Sequence, residues 1–357
     1  MRRWPIICFV LCVGVLLYWA LHHGHERSAD VPRERVPTLA VPHQPSATDT
    51  TTAEAPTDVY AHNLLLRKGP NFRVYIPWMR GTMVRTDPGR TPSFDNASSF
   101  GLHVEKGIME VRLEDLAHYL NASAVPHARL TRISLSARGG QIHLLGTAHK
   151  LLPIPVEIVG TISAEQATVI RLHVLKVSML KLPITGLLSG FHLTLADLLQ
   201  SNQPGIRVAG NDILFNTDVI FPSPHITGPI TSLRLATDKH GAYLEAVYGD
   251  THADPALAQK WHNFLQLTNG TLDFGKLTMH HVDLIMIDAS NASWFDLDLI
   301  NYQAQLVNGI TRMTPQAGLQ IFMPNVSALP PSKPGETITM EWLRDRTLPP
   351  PPEIPFH

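Results

Sequence analysis

TRISLSARGGQIHLLGTAHKLLPIPVEIVGTISAEQATVIRLHVLKVSMLKLPITGLLSGFHLTLADLL, residues 131–199, is the stretch whose reading decides the fold. Ile133, Leu135 and Ala137 alternate with Ser134 and Ser136, and after Gly139-Gly140 the return run sets Ile142 and Leu144 against Gln141 and His143. Alternation with a period of two, broken by a Gly-Gly pair, predicts a β-hairpin. Ile154–Ile162, with Val156, Ile158 and Gly160 in phase, and Thr168–Leu182 continue as strands. In the last run Ile170, Leu172, Val174 and Leu180 form one alternating set and Leu175, Val177 and Met179 the other. Apolar residues in both sets call for cover on two faces of the sheet. Ile184–Leu199 then reads as an amphipathic helix presenting Leu187, Leu188, Phe191, Leu195, Leu198 and Leu199. The cover is either more protein or a lipid-like ligand.

Hairpins and helices flank this stretch. Downstream, Ile206–Ala209 and Ile213–Phe221 pair around Gly210-Asn211-Asp212, and Ile230–Thr237 pairs with Ala242–Tyr248. Ala253–Leu267, holding Trp261, Phe264 and Leu265, reads as a helix. Strands Thr271–Leu277 and Val282–Asp288, a helix Phe295–Asn308 and a strand Leu319–Met323 follow. Upstream, Leu113, Leu116, Ala117 and Leu120 share one helical face, with Glu114 and Asp115 in the first turn where the dipole favours them. Residues 86–99 read as a polar loop. Phe72–Met79 alternates like an edge strand stopped by Pro77, and Tyr60–Arg67 is a short amphipathic stretch. Tight turns between neighbouring strands make the sheet mainly antiparallel and the class α+β.

The N-terminus is of another kind. Arg2-Arg3 precede an uncharged run from Trp4 to Leu21 that includes Leu16 and Trp19. At ~1.5 Å per residue such a run spans about 27 Å, enough for a hydrocarbon core. Trp4, Tyr18 and Trp19 sit where interfacial rings belong, and the arginines place the rest of the chain outside the cytoplasm. Residues 1–25 therefore read as an uncleaved signal anchor, with a cleaved signal peptide, which overlaps it in length, as the alternative. Residues 26–58 read as a disordered tether, 59–328 as the folded part (with possible sub-units 59–250 and 251–328), and 329–357 as a Pro-rich tail. The two cysteines, Cys8 and Cys12, both lie in the apolar run, so the folded part has no disulfide, which favours a bacterial envelope protein on the periplasmic side of the inner membrane. The net charge of −1 leaves no electrostatic footprint for nucleic acid. The 19 histidines would add that many positive charges if all were protonated.

No catalytic constellation emerges. Ser178 and Lys181 have Ser-x-x-Lys spacing, but in a strand positions i and i+3 point to opposite faces. Ser189, within Gly186–Gly190, lacks the spacing of a nucleophile elbow. His280 and His281 diverge in a strand, and no second pair follows at metal-ligand spacing. His22, His23 and His25 mark the membrane interface, Asp250 or Asp254 suits an N-cap, and Asp296 and Asp298 fit a helix start. Asn96, Asn121, Asn269, Asn291 and Asn325 each open an Asn-x-Ser/Thr sequon, which carries meaning only in a eukaryotic lumen. No cofactor, metal or enzymatic activity is expected.

Residues 105–222 resemble the bacterial tubular lipid-binding (TULIP-like) proteins. The likeness rests on the helix Val111–Leu120, the Gly-Gly hairpin, the run Pro153-Ile154-Pro155-Val156-Glu157-Ile158, the long strand ending at Leu182-Pro183 and the helix after it. Leu272–Met279 and Ala317-Gly318-Leu319 look similar to AsmA-like envelope proteins. The resemblance implies a strongly curved sheet wrapped around amphipathic helices, with acyl chains of a membrane lipid held between them. It points to Ile133, Leu135, Ile142, Leu144, Ile158, Leu172, Val174, Leu187, Leu188, Phe191 and Leu195 as lipid contacts. The other reading is a non-catalytic structural or scaffolding envelope protein with a filled core.

Overall fold

In the computed structural model the described residues are 55–69, 71–123, 130–149, 153–166, 168–179, 204–249, 261–275, 277–290, 292–326 and 329. The anchor with Trp4, Leu16, Trp19 and Leu21, most of the tether, the helix Ile184–Leu199 and nearly all of the tail lie outside them. No helix among the described residues is long and apolar enough to cross a membrane.

The described chain is mostly strand, with few and short helices. In order it runs β1 (Thr57–Arg67), β2 (Arg73–Arg85), β3 (Phe100–Arg112), α1 (Leu113–Ala122), β4 (Leu130–Arg138), β5 (Gln141–His149), β6 (Pro153–Gln166) and β7 (Val169–Met179). There follow β8 (Ile206–Ala209), β9 (Asp212–Asn216), α2 (Thr217–Ile220), β10 (His225–Thr227), β11 (Ile230–Asp238) and β12 (Gly241–Tyr248). The chain continues with β13 (Phe264–Phe274), β14 (Leu277–Asp288), β15 (Phe295–Asp298), α3 (Tyr302–Val307), β16 (Ile310–Met313) and β17 (Leu319–Met323). Two sheets result. The larger has the order β11-β12-β3-β2-β1-β13-β14-β17-β16, with β10 beside β3 and β15 beside β1; the smaller is β4-β5-β6-β7-β9-β8. Pairing is antiparallel except at β1–β15, β3–β10 and β14–β17.

β1 joins the early and late parts of the chain. Its first half pairs with β13 as far as His62 and its second half with β15 from Leu64. Asn63, at the change of partner, has φ +48, a left-handed conformation that asparagine tolerates, and its side chain accepts from the Tyr75 hydroxyl at 2.8 Å. Opposite this kink β2 does not stop at Pro77 but runs on to Arg85, flanked by β1 and β3. The missing N–H of Pro77 falls at an irregularity in the β2–β3 register between Tyr75 and Trp78, where no ladder bond is forfeited.

The apolar residues on both sides of the last long strand have a related cause. Val159 pairs with Lys176 but Gly160 with Val174, so Leu175 is an extra residue in β7. Beyond such a bulge the parity of the strand reverses. Ile170, Leu172 and Val174 before it and Met179 after it therefore join a single core, while Leu175 is 51% exposed. One face is covered, not two. Gly160 permits the bulge: a Cβ there would stand 2.4 Å from the carbonyl oxygen of His173.

Three further elements differ from the sequence reading. The proposed helix Ala253–Leu267 is strand from Phe264 on. Phe264 packs on Tyr60, Ile287 and Phe322, while Leu265 and Leu267 enter the main core on the other face, and burial on both faces imitates helical spacing. The proposed helix Phe295–Asn308 divides into β15 and α3, because Asp296 is drawn to Arg67 by two hydrogen bonds of 2.6 and 2.7 Å and Gln305 is completely buried. Gln305 donates to the carbonyls of Asp296 and Pro324 and accepts from the Asp298 N–H, which locks the strand, the helix and the chain end together. The run Ile213–Phe221 stops as strand at Asn216, whose side chain accepts from Asp218 N–H and starts α2.

Candidate functional site

Two cores lie under these sheets. The first collects β1, β2, β3, β13, β14, β15, α3 and β17 around residues such as Leu64, Ile76, Phe100, Phe274 and Phe295. The second is the inner face of the small sheet, around Ile142, Val156, Ile158, Leu172, Val174 and Ile213. The hairpin β11–β12 belongs to both: Ile230, Ala246 and Tyr248 pack on the first core, and Leu233, Leu235, Ala242 and Leu244 on the second. Helix α1 is wedged in the same way, with Leu113 in the second core and Leu116 against the first. Arg73 ties it to β2 through both carboxylate oxygens of Asp115.

Seven of the residues expected to touch lipid come together in the second core. Ile142, Ile158, Leu172 and Val174 are buried, and Ile133, Leu135 and Leu144 are partly buried against them. Their neighbours include the side chains of α1 and of the hairpin. The remaining four, Leu187, Leu188, Phe191 and Leu195, lie outside the described residues. At the seam between the two cores is a cavity of about 80 Å³, whose lining includes Phe72, Met109, Ile170, Leu233, Leu244 and Tyr248. None of the seven lines it; it lies beside them.

The wall of this cavity holds one cation. Leu64, Leu66 and Lys68 form one alternating set on the inner side of β1 and its extension, so the strand's own parity turns Lys68 inward. The side chain is 5% exposed. Its ammonium lies 5.7 Å from the centre of the Phe72 ring, and among the described residues no group accepts a hydrogen bond from it or pairs with it as an ion. Burial lowers its pKa to about 7, opposed in part by the carboxylate of Asp218. Asp218 itself has a buried Oδ1 with no hydrogen-bond partner. Burial also pushes the phenol of Tyr248 up to about 12. Sequence reasoning missed Lys68, although extending the Leu64, Leu66 alternation by one step would have found it.

A larger concavity has a mixed polar and apolar lining. It measures about 610 Å³ between Phe94–Ser98 and Leu299–Ala304. Its groups satisfy one another: Asp95 accepts from both the Tyr302 hydroxyl and the Gln303 amide, Tyr302 accepts from Gly275 N–H, and Asn96 caps the turn Ala97–Ser99. The amide of Asn121 is similarly engaged, bridging α1 to both backbone groups of Ile133 at an irregularity in β4. Among the described residues no group of three or more His, Cys, Asp or Glu could hold a metal ion. Ser178 stands on β7, and Lys181 lies outside the described residues.

No protein-family model matches this chain, and neither a curated protein nor a solved structure is found to match it.

Proposed function

We propose that this chain binds an apolar, lipid-like ligand without catalysing a reaction, and that the ligand enters the seam between the two cores. The observation that carries the reading is the cavity there, walled by side chains from β2, β3, β7, α1 and the hairpin β11–β12 and almost entirely apolar. In this reading the small sheet curves over α1 and the later amphipathic helix, the N-terminal run anchors the chain in the inner membrane, and the folded part works on the periplasmic side. At about 80 Å³ the cavity is roughly half the size of an engineered cavity that holds benzene, at ~150 Å³. A whole acyl chain therefore requires the hairpin to move away from the small sheet, and each methylene buried contributes about 0.8 kcal/mol toward that opening.

A second reading, a structural envelope protein, is favoured by the packing of Leu233, Leu235 and Leu244 onto the inner face of the small sheet, which fills most of it with protein. Native mass spectrometry of the purified full chain, with extraction of bound lipid, separates the two. Lipid-binding predicts a co-purifying apolar species and a rise in Tm on adding phospholipid. Absence of both would leave the structural reading standing.

A further inference from the structure

Lys68 lines the cavity with its ammonium 5.7 Å from the centre of the Phe72 ring. A nearly buried lysine that donates no side-chain hydrogen bond among the described residues is a costly group for a core to hold. Charged groups held in apolar surroundings cluster at functional sites. Three features specify the ligand. The wall is apolar, so the body of the ligand is too. One cation lines the cavity, and the carboxylate of Asp218 already acts on it, so the ligand brings at most a single negative charge. The space is about 80 Å³ and Lys68 is 5% exposed, so the charged head is compact and enters the seam.

We propose that the seam cavity selects long-chain carboxylates, with the Lys68 ammonium pairing with the carboxylate and the alkyl chain lying between the two cores. This rests on the apolar-ligand reading above and adds to it the identity of the head group. Asp218 limits the site to a singly charged head, since its carboxylate contributes to the field at Lys68 and would repel a second negative charge. The Tyr248 hydroxyl, on the same wall, stays protonated throughout the neutral range and is available as a donor.

The test is titration calorimetry of the full-length protein with dodecanoate, dodecanol and dodecyl phosphate, for the natural chain and Lys68→Met. The expected result is that the natural chain binds dodecanoate at least about tenfold more tightly than dodecanol near pH 6.5, about 1.4 kcal/mol. Lys68→Met abolishes that preference. Between about pH 6.5 and 8.5 dodecanoate affinity of the natural chain falls about twentyfold, following loss of the ammonium form of a group with a pKa of about 7. This pH arm needs no variant to fold. Equal binding of dodecanoate and dodecanol by the natural chain overturns the assignment of Lys68 while leaving apolar-ligand binding intact. Preference for dodecyl phosphate overturns the choice of carboxylate, and failure of all three to bind overturns the apolar-ligand reading itself.

Discussion

Replacing Lys68 by methionine should stabilise the protein, and the size of the gain follows from the environment of the amine. Burial takes its pKa from 10.5 to about 7. At ~1.4 kcal/mol per pH unit, that difference is a penalty of about 5 kcal/mol on the charged form in the fold. Below pH 7 the amine is charged in both the folded and the unfolded chain, and the whole penalty acts. Between pH 7 and 10.5 the unfolded chain holds a proton that the folded chain has released, so stability rises with pH as the penalty is relieved. Above about pH 9.5 the phenol of Tyr248, raised to about 12, brings the opposite slope, because the folded chain keeps a proton that the unfolded chain loses. The informative window is therefore about pH 6 to 9, over which the natural protein should gain about 3 kcal/mol. Methionine has similar length, no charge and a flexible stem that fills irregular space. It forfeits the contact with the Phe72 ring, about 1–2 kcal/mol, so Lys68→Met should be more stable by about 3 kcal/mol near pH 6. The pH-dependent rise should disappear in the variant. Urea unfolding followed by tryptophan fluorescence at a series of pH values measures both effects. A natural protein with a flat midpoint from pH 6 to 9, or a variant less stable near pH 6, would show that Lys68 is neutralised in the fold and would refute the reasoning.

Three further outcomes are expected. Gln305→Leu leaves the Asp298 N–H and the carbonyls of Asp296 and Pro324 without their partner inside the core, and should lower stability by about 3 kcal/mol in urea unfolding; a loss under about 1 kcal/mol would mean that other groups take up these bonds. Gly228→Ala places a methyl group 2.2 Å from the Val104 carbonyl oxygen at a φ of +145, beside the cavity wall formed by Ile226 and Ile230, and should cost about 3 kcal/mol with a matching drop in Tm. Deleting residues 1–27 should give a soluble protein with unchanged near-ultraviolet circular dichroism, and aggregation on gel filtration would count against placing the start of the fold beyond the tether.

The hairpins were legible wherever a tight turn and a period of two coincided. Gly139-Gly140 joins an antiparallel pair as its spacing predicts, and Lys239-His240 joins the pair β11–β12, with Gly241 already opposite Asp238. The helix after Arg112 and the closing strand Leu319–Met323 were legible for the same kind of local reason. What failed was any inference that assumed a strand keeps its parity from end to end. The bulge at Leu175 made one apolar face look like two, and the irregularity in the β2–β3 register between Tyr75 and Trp78 let β2 pass through Pro77. β13, buried on both faces, looked helical because two-sided burial removes the polar positions that mark a strand.

The sequence by itself determined the strand-rich, mainly antiparallel character of the protein, because alternation and turn chemistry are properties of neighbouring residues. Only the tertiary structure decided what covers the small sheet and where the unpaired charge lies. The hairpin that covers Leu172 and Val174 is 60 or so residues away along the chain, and Asp218 is 150 residues from Lys68. No local pattern encodes such distances, since burial depends on which segments meet. A lysine one step beyond two leucines reads as the end of a strand until the second core closes over it.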